Sequence, residues 1–403
     1  MGFLGLIRPK SASGADLLRK AEQIRPRTIG IVTAALALLF VVARLLVAAD
    51  GDISRFVVAG NVYTNAAQLQ PAIHVLDSAG YDGQFYWRLA TNPTELQVAD
   101  YRGVQLDAQF RITRIAYPTI AWAISFGQAN WAKWSLVITN IAGLGIIGYV
   151  GANLARNRGR AALAGVAVAS SSGLIFSLSR DLCEIAMVAA LVAGVAMIAR
   201  RQHALAAACW TLACLVHEQA LFCVVPYALY RLVGSVRRRE WSPTVQDLPW
   251  LVSLTAFGAW QLICRSVVGK FPVLSAKGGL AVPFTGFVEQ VHHWTQEGIG
   301  LVEALVVPQL ALLVTLVVIA FRSSKTLHGD DQWLRWALVG ATAITVSLSR
   351  PVWVDPAALR QLVVLSTIAW LVIVLSGRRI PVMLVGATGL VWILTAAVRV
   401  VEI

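Results

Sequence analysis

Apolar residues in this chain fall in long blocks broken by short polar stretches. The blocks cover roughly 28–48, 133–153, 161–178, 184–200, 204–216, 219–233, 248–266, 301–321, 333–349, 360–376 and 381–398. A bilayer core is crossed by about 20 residues of helix. None of the blocks alternates apolar and polar positions as the strands of a barrel do. Lipid satisfies no backbone polar group, so helices are the spanning structure that remains. The pattern predicts an all-α, polytopic transmembrane protein with about 11 spanning helices. The blocks 204–216 and 219–233 are short, and read as two helices meeting at a turn near His217, or as one long helix. Tyr117–Phe126 (YPTIAWAISF) is apolar but short. Were it to span, every later loop would change sides, so it is read as re-entrant or interfacial.

Composition sharpens this picture. Hydrophobic residues are 57% of the 403 and charged residues 14%, against about 25% charge in a soluble domain. Mean hydropathy is +0.67. The net charge of +13 would suggest nucleic acid in a soluble protein. Here the basic residues gather in the breaks, as the positive-inside bias requires, and no nucleic-acid partner is expected. Arg19, Lys20, Arg25 and Arg27 precede the first block. Arg156/Arg158/Arg160, Arg200/Arg201, Arg237/Arg238/Arg239 and Arg378/Arg379 follow others. Placing them all in the cytoplasm makes 1–27 a basic cytoplasmic N-terminus and 28–403 a single transmembrane domain of the plasma membrane, ending outside at Ile403. No cleaved signal is read at the start. Residues 49–132 become a large exterior loop with interfacial helices, and 267–300 a second exterior loop. No soluble domain or internal repeat stands out. The 14 Trp suit membrane interfaces, and the five Cys, Cys183 among them, read as free small hydrophobes.

Candidate chemistry lies on the exterior side. In Gly80–Ala90 (GYDGQFYWRLA), Asp82 precedes a short helix. It serves there either as a helix cap or as a general base. Arg111 and Arg114, three apart, present two guanidiniums on one face, suited to a phosphate or to lipid headgroups. Asp181 and Glu184 have the spacing of a cap and a first-turn acid. His217-Glu218 interrupts apolar sequence near membrane depth, where ionisable groups are costly and face a cavity or a partner. Arg350–Asp355 and Arg360 form the last exterior group, with Trp353 inside it. His292-His293 reads as interfacial packing, since adjacent helical side chains diverge. Gly143–Gly151 reads as close helix packing. Metalloprotease, paired-cysteine, P-loop and nucleophile-elbow motifs do not occur.

The combination resembles the GT-C superfamily of membrane glycosyltransferases, in an actinobacterial-type form. The resemblance is carried by Asp82-Gly83-Gln84-Phe85-Tyr86-Trp87-Arg88-Leu89-Ala90, by Tyr117-Pro118, by Arg180-Asp181-Leu182-Cys183-Glu184, and by His217-Glu218-Gln219, where many relatives carry an Arg-Glu-Thr-like run. It covers about residues 28–235. It departs at Asp82-Gly83, where many members have two adjacent acids, so no metal ligand is assigned. A divalent cation is the one cofactor the resemblance leaves open.

The resemblance implies transfer of a sugar, mannose or arabinofuranose, from a polyprenyl-phosphate donor to a glycolipid or glycan acceptor of the cell envelope. Transfer would occur at the exterior (periplasmic) face, with inversion. Asp82 would be the catalytic base. Arg111, Arg114, Arg360 and His217 would bind the donor phosphate. Tyr81, Gln84, Tyr86, Arg180, Asp181, Glu184, Glu218 and Trp353 would contact substrate. The competing readings are a transporter or flippase of a lipid-linked or polar substrate, and a non-catalytic scaffold. Membrane lipids surround the chain on every reading.

Overall fold

A computed structural model describes residues 24–239, 242–275, 279–354 and 358–402. Arg19, Lys20 and Asp355 lie outside the described residues. About 72% of the described residues are helical, with almost no strand. Among the described residues, six helices are long and apolar enough to cross a membrane: Pro26–Val47, Ala129–Asn157, Glu218–Arg238, Val245–Val268, Ala304–Ser324 and Val382–Val401.

In chain order the α-helices are α1 (Pro26–Val47), α2 (Gly83–Thr91), α3 (Ala116–Ile124), α4 (Ala132–Asn157), α5 (Ala164–Ala169), α6 (Ser172–Leu178), α7 (Glu184–Ala199), α8 (His203–Val216) and α9 (Leu221–Arg238). They continue as α10 (Leu248–Val268), α11 (Thr285–Glu297), α12 (Leu301–Ser324), α13 (Trp333–Val346), α14 (Arg350–Val354), α15 (Ala358–Gln361), α16 (Val363–Leu375) and α17 (Val382–Val401). Apolar α7 and α16 are buried along almost their whole length and form the centre. The longer α10, α12 and α17 leave most of their apolar surface uncovered, as helices facing lipid do.

The block 161–178 is not one helix. It breaks at Ser171, which is extended, between α5 and α6. Three consecutive serines stand there, and Ser170 Oγ turns back to the Val166 carbonyl. Serine hydroxyls compete in this way with the main-chain ladder. At 204–233 the two-helix alternative holds: His217 is extended (φ −160°) and a 3₁₀ turn over Glu218–Ala220 leads into α9. Helix α3 has nine residues, about 13 Å at 1.5 Å per residue, and a hydrocarbon core of about 30 Å is out of its reach.

The 49–132 segment is compact. Two short parallel strands, Ala59–Gly60 and Val75–Leu76, brace it. All nine residues of helix α2 are buried. Gly83 makes that burial feasible. A Cβ there would lie 2.5 Å from the Arg180 carbonyl oxygen and 2.6 Å from that of Val57. The segment is therefore pressed against the turn between α6 and α7.

Two sets of contacts define the ends of the bundle. At the end carrying 49–132, Arg44 of α1 donates to the carbonyls of Arg399, in the last turn of α17, and of Glu402 just after it. At the other end Arg158, after α4, pairs with Asp331, before α13.

Candidate active site

Five segments meet at the end of the bundle that carries 49–132. Asp82 sits just before α2, and its side chain caps no helix, so the capping alternative does not hold. Its Oδ2 accepts from Arg360 Nη1 at 2.8 Å, forms an ion pair with Arg111 Nη1 at 2.6 Å, and lies 3.7 Å from Arg114 Nη1. Arg111 and Arg114 stand on the 3₁₀ turn Gln109–Arg114, where residues three apart align on one face. Burial alone would raise the Asp82 carboxyl. Arg360, Arg111 and Arg114 outweigh burial and hold it well below the usual carboxylate range.

The two buried arginines are already occupied. Arg111 gives Nε and Nη2 to the Asp107 carboxylate at 2.7 and 2.8 Å, flanked by the rings of Phe85 and Phe110. Arg114 grips Glu218 with Nη2 at 2.6 Å and Nε at 3.1 Å, and gives Nη1 to Tyr86 Oη at 3.0 Å. Neither Arg111 nor Arg114, both expected to bind phosphate, has its forked edge free in this arrangement. Each presents its forked edge to a carboxylate, and a phosphate would have to displace it.

Beside them lies a second polar group. His217 Nδ1 accepts from the Gln219 amide at 3.1 Å, which assigns the ring proton to Nε2. That Nε2 is 4.0 Å from Glu184 Oε1. Glu184 Oε2 accepts from Ser177 Oγ at 3.1 Å, and its Oε1 is 3.7 Å from Arg360 Nη1. Among the described residues, neither His217 Nε2 nor Glu184 Oε1 has a hydrogen-bond partner, although both are buried. His217 was expected among the phosphate ligands. Its ring instead faces carboxylates on both sides, Glu184 and Glu218.

The other expected contacts divide. Tyr81 lies beneath the guanidiniums of Arg180 and Arg360, each 4.9 Å from its ring centre. Tyr86 is fully buried, and its hydroxyl accepts from Arg114 and from Cys183 Sγ, so it holds the site together from within. Gln84 is buried. Its Oε1 accepts from the Gly60 amide and Thr64 Oγ1, and its Nε2 donates to the Ala79 carbonyl, tying the loop to α2. Asp181 caps nothing; both its oxygens are buried without a partner, and burial raises its carboxyl well above the usual range, with Arg44 only partly opposing. Trp353 belongs elsewhere: its indole donates to the Leu348 carbonyl and its ring packs on Phe287 of α11.

Asp107 and Cys183 are the members that sequence reasoning missed. Asp107 stands four residues before Arg111, a spacing that pairs side chains on one helical face. Cys183 looked like a small hydrophobe, and only the fold sets its thiol 3.1 Å from Tyr86.

A divalent cation does not fit at Asp82, where guanidiniums occupy the carboxylate. Among the described residues, Cys183, Glu184 and His217 place donor atoms within 4.8 Å of one another, and a cation held by the chain would take those three. Comparison with models of known families and with curated proteins finds no match for this chain.

Proposed function

We propose that the protein is a membrane glycosyltransferase of GT-C type, taking a sugar from a polyprenyl-phosphate donor, with Asp82 as the general base. The observation that carries this reading is the buried cluster at one end of the helical bundle. Asp82, Arg111, Arg114, Glu184, His217, Glu218 and Arg360 come from distant segments, yet join one network. Buried charge on this scale is costly to assemble for packing alone.

A lipid-linked donor also needs a place for its chain. An apolar cavity of about 600 Å³ lies between α9 and α13, lined by Leu221, Phe222, Val225, Pro226, Trp336 and Val339 among others. It starts directly after the Glu218–Ala220 turn, which favours a lipid running from the charged cluster into the membrane.

The chemistry follows from charge. The acceptor hydroxyl loses a proton as it attacks the anomeric carbon, and the departing phosphate gains negative charge. In the present arrangement Asp82 is a weak base, because three guanidiniums stabilise its ionised form. A phosphate that draws one of them away returns basicity to Asp82 when the acceptor needs it. Binding of the donor thereby switches on the base.

We take the shorter helices α7, α8, α13 and α16 and the α5–α6 pair as further crossings, giving about eleven in the plasma membrane, with the charged cluster on the exterior face. The sugar is mannose or arabinofuranose and the acceptor a cell-envelope glycan or glycolipid. A transport reading rests on His217 and Glu218 beside apolar helices, but Glu218 is held by two hydrogen bonds from Arg114, which suits a fixed site better than a moving relay. The test is Asp82→Asn assayed for transfer of labelled mannose or arabinose from polyprenyl phosphate to membrane acceptors. Transfer is lost while insertion and yield are kept; full activity in this variant refutes Asp82 as base.

A further inference from the structure

Next to the Asp82 cluster, guanidiniums and aromatic rings alternate. Arg360 and Arg180 each stand 4.9 Å from the Tyr81 ring centre. Arg180 is also 4.8 Å from the Phe176 ring, and Arg399 is 4.6 Å from it. The two rings meet edge to face at 5.5 Å. Stacking on aromatic faces orients a guanidinium without consuming its N–H donors.

The charges in this ladder do not balance. Arg360 has Asp82, and Arg399 has Glu402. The Arg180 side chain has no hydrogen bond or ion pair among the described residues. Arg360 Nε is buried with no partner. Arg44 adds a further cation close by, giving its donors to main-chain carbonyls. The neighbouring acid, Asp181, is fully buried and makes no hydrogen bond. Arg180, Tyr81 and Arg360 are all partly exposed, whereas Arg111 and Arg114 are buried. Among the described residues of this ladder, the reachable cations with free donors are therefore Arg180 and Arg360.

We propose that Arg180 and Arg360, stacked on Tyr81, form an anion site at the mouth of the cluster that takes the phosphate ester of the substrate. Arg111 and Arg114 then serve as counter-ions that hold the carboxylates. This deepens the reading of the site as one for a lipid-linked donor and rests on it only for the lipid. The phosphate chemistry stands on the unpaired donors alone. It also names the arginine that Asp82 gives up, because Arg360 is shared between Asp82 and the anion.

The experiment measures binding and needs no sugar transfer. The full chain, in nanodiscs of zwitterionic lipid, is titrated with geranylgeranyl phosphate, inorganic pyrophosphate and uncharged geranylgeraniol. Arg180→Gln weakens geranylgeranyl phosphate about ten-fold or more, the scale of a lost charge-assisted contact. Arg180→Lys retains part of the affinity. Arg379→Gln, an exposed arginine after α16, leaves it unchanged and controls for net charge. Asp82→Asn releases Arg360 and tightens phosphate binding. Pyrophosphate bound as tightly as the lipid phosphate, and lost in Arg180→Gln, keeps the anion site and replaces the lipid by a soluble phosphate ester. Wild-type affinity for both anions in a folded Arg180→Gln protein overturns the site. So does an equal loss of geranylgeraniol binding, which would trace the effect to apolar packing. If Asp82→Asn retains transfer while Arg180→Gln loses phosphate, the base assignment fails and the anion site stands.

Discussion

Asp82 and Arg360 are 278 residues apart in the chain and 2.8 Å apart in the fold. Their pairing offers a direct test of whether the site closes as described. Asp82→Asn keeps the volume and removes the charge. Arg360 then has no carboxylate within hydrogen-bonding distance, since Glu184 lies at 3.7 Å. Arg111 keeps both hydrogen bonds to Asp107. Neutralising one partner of a buried pair costs about 3–5 kcal/mol. The retained amide oxygen, the surviving Asp107 and the 13% exposure of the Arg360 side chain bring the expected loss down to about 2–3 kcal/mol. Arg360→Gln costs less, about 1–2 kcal/mol, because a hydrogen bond is lost but no charge is stranded; Asp82 keeps Arg111 at 2.6 Å. In the double variant neither group strands the other, and the two effects fall short of additive by about 1–2 kcal/mol. Equilibrium unfolding in mixed detergent–SDS micelles, followed by tryptophan fluorescence at pH 7, measures all four proteins. Additivity within about 0.5 kcal/mol refutes the pairing. The pH dependence has a definite sign. The folded carboxyl lies below its ordinary 3.8. Its stabilisation is therefore complete above about pH 4 and is lost as pH falls further toward the folded value. The advantage of wild type over Asp82→Asn narrows only in that acid range.

Asp181 has the opposite sign. Burial raises its carboxyl, so the fold opposes ionisation once pH exceeds the unfolded value. Asp181→Asn is expected to raise stability at pH 7 by more than about 1 kcal/mol, with the gain vanishing toward pH 4. Asparagine also tolerates the left-handed backbone at this position (φ 50°). Unfolding curves at the two pH values check this, and a loss of stability at pH 7 contradicts it. Gly83→Ala sets a Cβ against two carbonyl oxygens; it is expected to cost about 1–3 kcal/mol and to abolish the coupling between Asp82 and Arg360. A Gly83→Ala variant with wild-type stability and undiminished coupling would show that α2 does not need its close approach to the α6–α7 turn.

What the sequence determined by itself was local. Runs of apolar residues specify helices because a buried or lipid-facing backbone must bond within its own segment. The polar interruption at His217-Glu218 marks a break, and the break is there. The apolar run at Tyr117 is too short to cross, and α3 is correspondingly short. The serine run at 170–172 holds a break that hydropathy does not register. Asp82, Arg114, Glu184, His217, Glu218 and Arg360 all stand out in the sequence as polar residues between or beside apolar blocks, and they are neighbours in the fold. Their division of labour was decided by tertiary structure. Whether a guanidinium is free for substrate depends on which carboxylates packing brings to it. Arg111 is taken by Asp107, Arg114 by Glu218, and Arg180 is left open among aromatic rings. Hydropathy and spacing describe one segment at a time, whereas ion pairing is settled between segments hundreds of residues apart, where burial makes each unmatched charge costly.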